Sequence, residues 1–345
     1  MPVSMLDIAK YAGVSRPVVS KVLNGGKTNI RISNQTRERI LAAAKELGYR
    51  PNLLAHAVSQ GKTHAAGYVC YELDGVYTTA GSSLVLSAAS RVLAEHGRHL
   101  VFSTISESQL RDNELPAVFT SVLVDVLVLD GTGVLPQEVI EMAQQHELPC
   151  ITVNVRQQFD AAYPDDFNGA REATEVLLDL GHRSIGYAGV YNDQDQVQHY
   201  SVHDRRAGYE QAMLDRGLPP RVIMRNHHKG ASGDHQALRA AMSGDDAVTA
   251  WVAYEESTAI DVYLTAQAMG LSIPKDISII AMHRGGDRAR LGHMTCTSML
   301  LGEPRLGTAV GGMILKKMAD PRVTLPSEEV DFLYHAGTTL APPRD

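Results

Sequence analysis

The stretch SMLDIAKYAGVSRPVVSKVLNGGKTNIRISNQTRERILAAAKELGYRPNLLAHAVSQGK, Ser4 to Lys62, carries the reading on which the rest of the chain depends. Ser4 is placed to cap a first helix with Asp7 three residues on, where a carboxylate meets free amides and the positive end of the helix dipole. That helix is expected to run to about Ala12. Ala9, Gly13 and Val19 then stand at separations of four and six. They supply a small residue where two helices cross, a glycine for the turn and a branched apolar residue for the shared core, as a helix-turn-helix requires. Ser15 is expected to cap the second helix, with Pro17 in its first turn, where a missing amide donor costs little. A third helix follows a cap at Ser33, is expected to bury Ile40, Leu41, Ala44 and Leu47, and stops at Gly48.

An apolar bundle explains Ile8, Val19, Val22 and Leu23 but not the charge. From Met1 to Lys62 there are ten Lys or Arg (Lys10, Arg16, Lys21, Lys27, Arg31, Arg37, Arg39, Lys45, Arg50, Lys62) against Asp7, Glu38 and Glu46, a net +7. The whole chain is −7, which leaves −14 on the remainder. A basic head on an acidic body concentrates attraction for phosphate at one end, so the partner expected of these residues is nucleic acid.

The segment resembles the headpiece of the LacI/GalR family of bacterial transcription regulators. The matching residues are Asp7, Ala9, Ala12, Gly13, Val14, Ser15, Val19, Ser20, Val22, Leu23 and Asn24, then Thr36, Arg37, Ile40, Ala44, Leu47, Gly48, Tyr49, Pro51, Asn52 and Ala55. The resemblance implies that the second helix enters the major groove, with Arg16 and Lys21 donating to guanine. Pro17 is left an apolar contact, and Ser15 and Asn24 are expected at phosphates. Lys27 and Arg31, in a lengthened loop from Gly25 to Arg31, are expected to follow the backbone. Ser4, Ser20, Asn52 and Ala55 complete the interface. After Pro51, LLAHAVS has the length of about two helical turns, which is marginal alone. In the family this hinge folds when two chains press their copies into the minor groove. By alignment its wedge is Val58, where most members have leucine, with His56 where many have arginine.

The remainder is long enough for a large core, and 44% apolar with 6% aromatic content is ordinary for a globular protein. No apolar run approaches the roughly 18 residues that span a bilayer, and Asp7 and Lys10 interrupt any leader, so a cytoplasmic protein is expected. Cys70, Cys150 and Cys296, three and widely spaced, suit reduced buried thiols better than a disulfide frame or a zinc site and are read as structural. From Thr63 strands and helices alternate: AAGYVCYEL, HLVFSTI, VDVLVLDG and CITVNV are strands, with a helix from Ser82 to His96. A second run has helices at Gly169 to Leu180, Arg205 to Arg216 and Ser257 to Met269, and strands SIGYAGV, Ala250 to Ala253 and ISIIAM. LGTAVGGMILKKMAD is an amphipathic helix, and EVDFLYHAGTTL holds the last strand. Repeated βαβ units mean parallel sheets covered on both faces, and their two groups mean two lobes.

The fold class expected is therefore an all-α helix-turn-helix headpiece followed by a two-lobed α/β core of two doubly wound parallel sheets. This core looks like the periplasmic-binding-protein type. The resemblance implies domains at 1–50 (headpiece), 51–62 (hinge), 63–163 with 295–325 (first lobe) and 164–294 with 326–345 (second lobe), with crossings near 163, 295 and 326. Ligand then lies between lobes at the carboxyl ends of the strands. The candidates are Tyr77, Ser82, Ser83, Asp165, Tyr191, Arg205, His228, Tyr254, Glu255 and His283. Arg205, Gly208 and Tyr209 carry the family's R-x-x-G-[FYW] pattern, and a planar guanidinium fork suits vicinal hydroxyls or a carboxylate. Asp165 and Asp166 replace the family's Asp-Asn pair, although a helix cap uses the same residues. Where members usually place an Asp, this chain has His283 and Arg284, and the other cleft strand ends in Tyr254 and Glu255. Arg205, His283, Arg284 and His228 together suggest an anionic effector such as a sugar acid or sugar phosphate; a neutral sugar stays open.

Other chemistries fit less well. His199 and His203 are four apart, a possible metal pair, but no third ligand stands at a telling interval. GTG at 131–133 lacks the third glycine of a dinucleotide loop, and neither G-x-S-x-G nor H-E-x-x-H occurs. The expectation is no enzyme activity, no cofactor and no metal. It is a homodimeric, effector-controlled regulator, expected to repress, on roughly palindromic operator DNA; a ligand-independent DNA-binding protein, or a sugar-binding protein or enzyme on this core, is the alternative.

Overall fold

The computed structural model describes residues 3–24, 31–50, 61–72, 83–112, 114, 116–121, 123–131, 135–191, 198–226, 235–283 and 290–344. They form two units, Met1–Thr63 and His64–Asp345, each described by itself.

The first unit holds α1 (Met5–Ala12), α2 (Arg16–Asn24) and α3 (Asn34–Glu46). Its ends are set locally. The Ser4 hydroxyl accepts from the Asp7 amide at 3.3 Å while the Asp7 carboxylate accepts from the Ser4 amide at 2.9 Å, a reciprocal cap. Gly13 ends α1 with φ +63°, a left-handed conformation that costs any other residue more. Ser33 caps α3 through the Thr36 amide at 3.2 Å. Ile8, Ala9, Ala12, Val19, Val22, Ile40 and Ala43 form the core. Leu41, expected inside, is 47% exposed, because α3 turns Ile40 and Ala43 inward and leaves Leu41 one step past that face. The hinge after Pro51 lies outside the described residues.

In the second unit the first sheet is built from β1 (Ala65–Glu72), α4 (Ser83–Glu95), β2 (His99–Ser106), α5 (Glu107–Arg111), α6 (Ala117–Thr120), β3 (Val126–Asp130), α7 (Gln137–Gln145), β4 (Cys150–Val153) and β5 (Ala161–Pro164). The chain then enters α8 (Asp166–Asp179), β6 (Ile185–Tyr191), α9 (Tyr200–Asp215), β7 (Arg221–Asn226), α10 (His235–Ala241), β8 (Ala250–Ala253), α11 (Glu256–Ala268) and β9 (Ser278–His283). A two-stranded ribbon, β10 (Arg290–Leu291) and β11 (Met294–Thr295), precedes β12 (Thr297–Leu300), α12 (Glu303–Ala319), β13 (Glu328–Val330) and β14 (Leu333–His335). The sheets run β13-β5-β4-β3-β1-β2, all parallel, and β14-β12-β9-β8-β6-β7, parallel except for β14. Buried on both faces, β1 and β3 read as continuous apolar runs. Helices α4 and α12 cross closely enough that a β-carbon on Gly307 would stand 2.3 Å from the Val85 carbonyl oxygen.

Strand pairing moves the expected lobe boundaries. Thr297–Leu300, placed in the first lobe by the sequence reading, pairs with β9 in the second sheet. Residues 328–330, placed in the second lobe, pair with β5 in the first. The single last strand expected from Glu329 onward is therefore two strands in two sheets, divided at Asp331 and Phe332. The crossings fall near 165, 301–302 and 331–332, not near 163, 295 and 326. Periodicity reports which residues are buried, but not which sheet a strand joins, since pairing is decided by partners outside the strand itself, 17 residues back for β12 and 166 back for β13. All three crossings leave the carboxyl ends of parallel strands, so those edges of both sheets adjoin the connections. Among the described residues no helix is long and apolar enough to cross a membrane.

Candidate functional sites

On α2, Val19 and Val22 turn into the headpiece core, and the helical period puts Arg16, Pro17, Ser20 and Lys21 on the opposite arc. Arg16 and Pro17 are exposed, Ser20 and Lys21 half-buried. Ser15, also exposed, ends the turn by accepting the Val18 and Val19 amides on its carbonyl at 3.0 and 3.2 Å. Arg31 is exposed ahead of α3. Ser4 is committed to its cap, its hydroxyl 2.7 Å from the Asp7 carboxylate. The Asn24 side chain, Lys27, Asn52, Ala55, His56 and Val58 lie outside the described residues.

In the second unit the carboxyl edge of the second sheet carries Tyr191, Tyr254, Glu255 and His283, with Arg205 bonded to the Tyr254 carbonyl. Arg205 was expected to open its helix, but α9 begins five residues earlier, capped by His199, whose ring accepts from the Ser201 amide at 3.3 Å. Histidine is an uncommon cap and gave no start signal. Arg205 is nearly buried. Its Nε donates to Asp166 Oδ1 at 2.6 Å and its Nη1 to the Tyr254 carbonyl at 2.6 Å. The guanidinium lies 4.5 Å from the Tyr254 ring centroid and 5.7 Å from that of Phe332. Burial opposes its charge, and Asp166 together with the neighbouring tyrosines outweighs it, so its pKa is raised. Gly208 makes this possible. A β-carbon there would stand 2.1 Å from the Phe167 carbonyl oxygen, so glycine lets α9 lie against α8 and brings Arg205 within reach of Asp166.

Asp165 caps α8, accepting from the Asn168 amide at 3.1 Å and side chain at 2.6 Å, so the cap accounts for it. Tyr254 is buried with its hydroxyl 2.8 Å from Ser201 Oγ. Glu255 precedes α11 and accepts from the Ser257 hydroxyl at 2.5 Å; Arg225, 2.9 Å from Asp261, donates to that hydroxyl. Tyr191 ends β6, 38% exposed. His283 ends β9 with Nδ1 3.5 Å from a Glu256 carboxylate oxygen. Ser83 starts α4, exposed. Tyr77, Ser82, His228 and Arg284 lie outside the described residues. Of the four residues expected to make the pocket cationic, Arg205 and His283 each face a carboxylate, Asp166 and Glu256, while His228 and Arg284 are outside the described residues.

Sequence reasoning missed a set of contacts from the β4–β5 loop of the first lobe to the start of α9 in the second. Arg156 Nη1 lies 2.7 Å from Asp204 Oδ2, and His199 Nε2 lies 3.0 Å from the Asn154 carbonyl oxygen. The Tyr200 hydroxyl donates to Asn154 Oδ1 at 3.3 Å. With its Nδ1 2.7 Å from Ser201 Oγ, His199 has both ring nitrogens engaged and is no metal ligand, while His203 points outward beside Asp204. Burial pushes the Cys150 thiol up to about 12 and Cys296 up to about 11, which suits inert structural thiols.

The family described as bacterial regulatory proteins, lacI family, matches residues 4–52, and the periplasmic binding protein-like domain matches residues 174–333. The chain is 25% identical over 343 residues to the HTH-type transcriptional regulator GntR of Escherichia coli strain K12, covering 97% of both. It is 26% identical over 335 residues to the HTH-type transcriptional repressor PurR of Klebsiella pneumoniae strain 342, covering 94% of this chain and 93% of that one. In fold it is similar to the lac repressor dimer bound to operator and the anti-inducer ONPF, with TM-score 0.76 and 20% identity over 99% of this chain and 100% of that one. With a lacI-type headpiece, a periplasmic-binding-protein-like body and regulator relatives matched along nearly its whole length, the chain belongs to the LacI family of bacterial regulatory proteins.

Proposed function

We propose that the chain is a cytoplasmic, homodimeric transcriptional repressor whose grip on a roughly palindromic operator is set by a polyhydroxylated effector, a sugar or sugar acid, held between its lobes. The exposed arc of α2, with Arg16 and Lys21, reads the major groove, and two headpieces occupy two half-sites. The hinge of residues 51–62 supplies Val58 and His56 to the minor groove. The lac repressor dimer bound to operator, the CelR complex with cellobiose and a family member with bound ribose are solved relatives in fold that carry such partners. The relatives in sequence are regulators and not enzymes, in keeping with a binding role.

One observation carries the reading. Helix α9 bears Arg205 at the sheet edge and, one residue earlier, Asp204 in the contact to Arg156 of the other lobe. A ligand that moves Arg205 therefore acts on the contacts that set the lobe arrangement. Operator affinity follows by linkage, limited to the effector's preference for one arrangement. A mobility-shift assay on DNA flanking the protein's own gene, with a panel of sugars and sugar acids, tests this. Binding that at least one compound weakens or strengthens supports the reading, and binding indifferent to every compound refutes effector control.

A further inference from the structure

Asp166 stands where the family pattern has asparagine, and its surroundings decide what the cleft accepts. Its side chain is buried at the start of α8, and Oδ1 takes the Arg205 Nε–H at 2.6 Å. Oδ2, also shut from solvent, has no hydrogen-bond partner of ordinary length among the described residues, and the Tyr200 hydroxyl stands beside this carboxylate. Arg205 spends a second donor on the Tyr254 carbonyl and one face on the Tyr254 ring. A guanidinium has five N–H donors, so the Nη edge retains donors for a ligand. Its charge, however, is already matched by the adjoining carboxylate. An anion placed on that edge meets the attraction of Arg205 and, a short way beyond, the repulsion of Asp166, so little net attraction offsets the hydration it loses. A hydroxyl group suffers no such conflict. It accepts from Nη and donates to a carboxylate oxygen.

We propose that Asp166 is a specificity-determining residue that makes the Arg205 subsite select uncharged polyols and sugars and reject sugar acids and sugar phosphates. The inference rests on the effector reading above and narrows its chemical class. The carboxylate also helps to hold α8 against α9, so the decisive readout is charge selectivity, which a merely structural role leaves unmoved.

Matched pairs are titrated calorimetrically into the full-length protein: glucose and glucuronate, galactose and galacturonate, sorbitol and gluconate, ribose and ribose 5-phosphate. In each pair with a binding member, the wild type is expected to hold the neutral partner at least tenfold more tightly. Asp166→Asn keeps an oxygen for Arg205 while removing the charge, and is expected to narrow that ratio about tenfold, about 1.4 kcal/mol. A wild type that binds an acid as tightly as its neutral partner overturns the inference, as does a folded Asp166→Asn protein with an unchanged ratio. Should that variant not fold, the wild-type ratios still decide. If no compound of either kind binds and none alters operator binding, the effector reading fails and this inference falls with it, an outcome distinct from the wrong charge preference.

Discussion

Gly208→Ala tests why the R-x-x-G pattern contains a glycine. A β-carbon at 208 would lie 2.1 Å from the Phe167 carbonyl oxygen, 3.0 Å from the carbonyl carbon and 3.1 Å from the Arg171 amide nitrogen. These are backbone atoms inside α8, so no side chain can rotate away. Ordinary contact begins at 3.4 Å, so α9 must retreat from α8 by about 1.3 Å. Overpacking of this kind costs about 1 to 3 kcal/mol. The same displacement stretches the 2.6 Å Arg205–Asp166 contact, and a weakened buried pair adds to the loss. With about 3 kcal/mol lost and about 2 to 4 °C per kcal/mol for a domain of this size, the body is expected to melt about 6 to 12 °C lower. Effector affinity should fall as well. Gly312→Ala is the control: a β-carbon there meets nothing within 4 Å, so it should be neutral or raise the melting temperature slightly. Calorimetric melting of the full-length proteins checks both. A Gly208→Ala protein that melts with the wild type and keeps its effector response refutes the packing argument.

Further outcomes follow from other contacts. Arg156→Ala removes a contact whose arginine is 56% exposed, so stability should change by only about 1 kcal/mol or less. The lobe equilibrium should nonetheless move away from the observed arrangement. Small-angle scattering should broaden, and the effector concentration for half response should shift about fivefold; an unshifted response would remove the contact from the mechanism. Ser4→Ala should cost the headpiece about 1 kcal/mol at neutral pH through its lost cap, followed by the chemical shifts of the α1 amides. The Ser4 hydrogen bonds hold the Asp7 carboxyl below its ordinary 3.8 in the folded state, so their stabilisation is present above that value and disappears as pH falls through the lowered one. The gap between wild type and Ser4→Ala should therefore narrow in acid to what the Asp7 amide–Ser4 hydroxyl bond contributes, and a constant gap down to low pH would be inconsistent with the charged cap. Arg16→Ala should relax preference at one half-site position by about 1 to 3 kcal/mol, read from binding to operator variants; an unchanged preference moves base reading to another residue.

The amino-acid sequence determined on its own whatever physics confines to a few neighbouring residues. Ser4 with Asp7, Gly13 and Ser33 act within four residues of themselves, so the three headpiece helices could be placed nearly residue by residue. The split of charge between head and body needs only counting. Continuous apolar runs made β1, β3 and β8 legible as buried parallel strands, and the pattern around Arg205 and Gly208 marked the site region. Tertiary structure alone decided which sheet β12 and β13 join, because a strand's period is the same in either. It also decided what Arg205 faces. Asp166 is 39 residues away and Asp204 meets Arg156 across 48, distances over which no periodicity carries information. Arg205 and His283, read from residue type as cations of the pocket, each stand beside a carboxylate, since the effective charge of a side chain belongs to its neighbours in space and not to its neighbours in the chain.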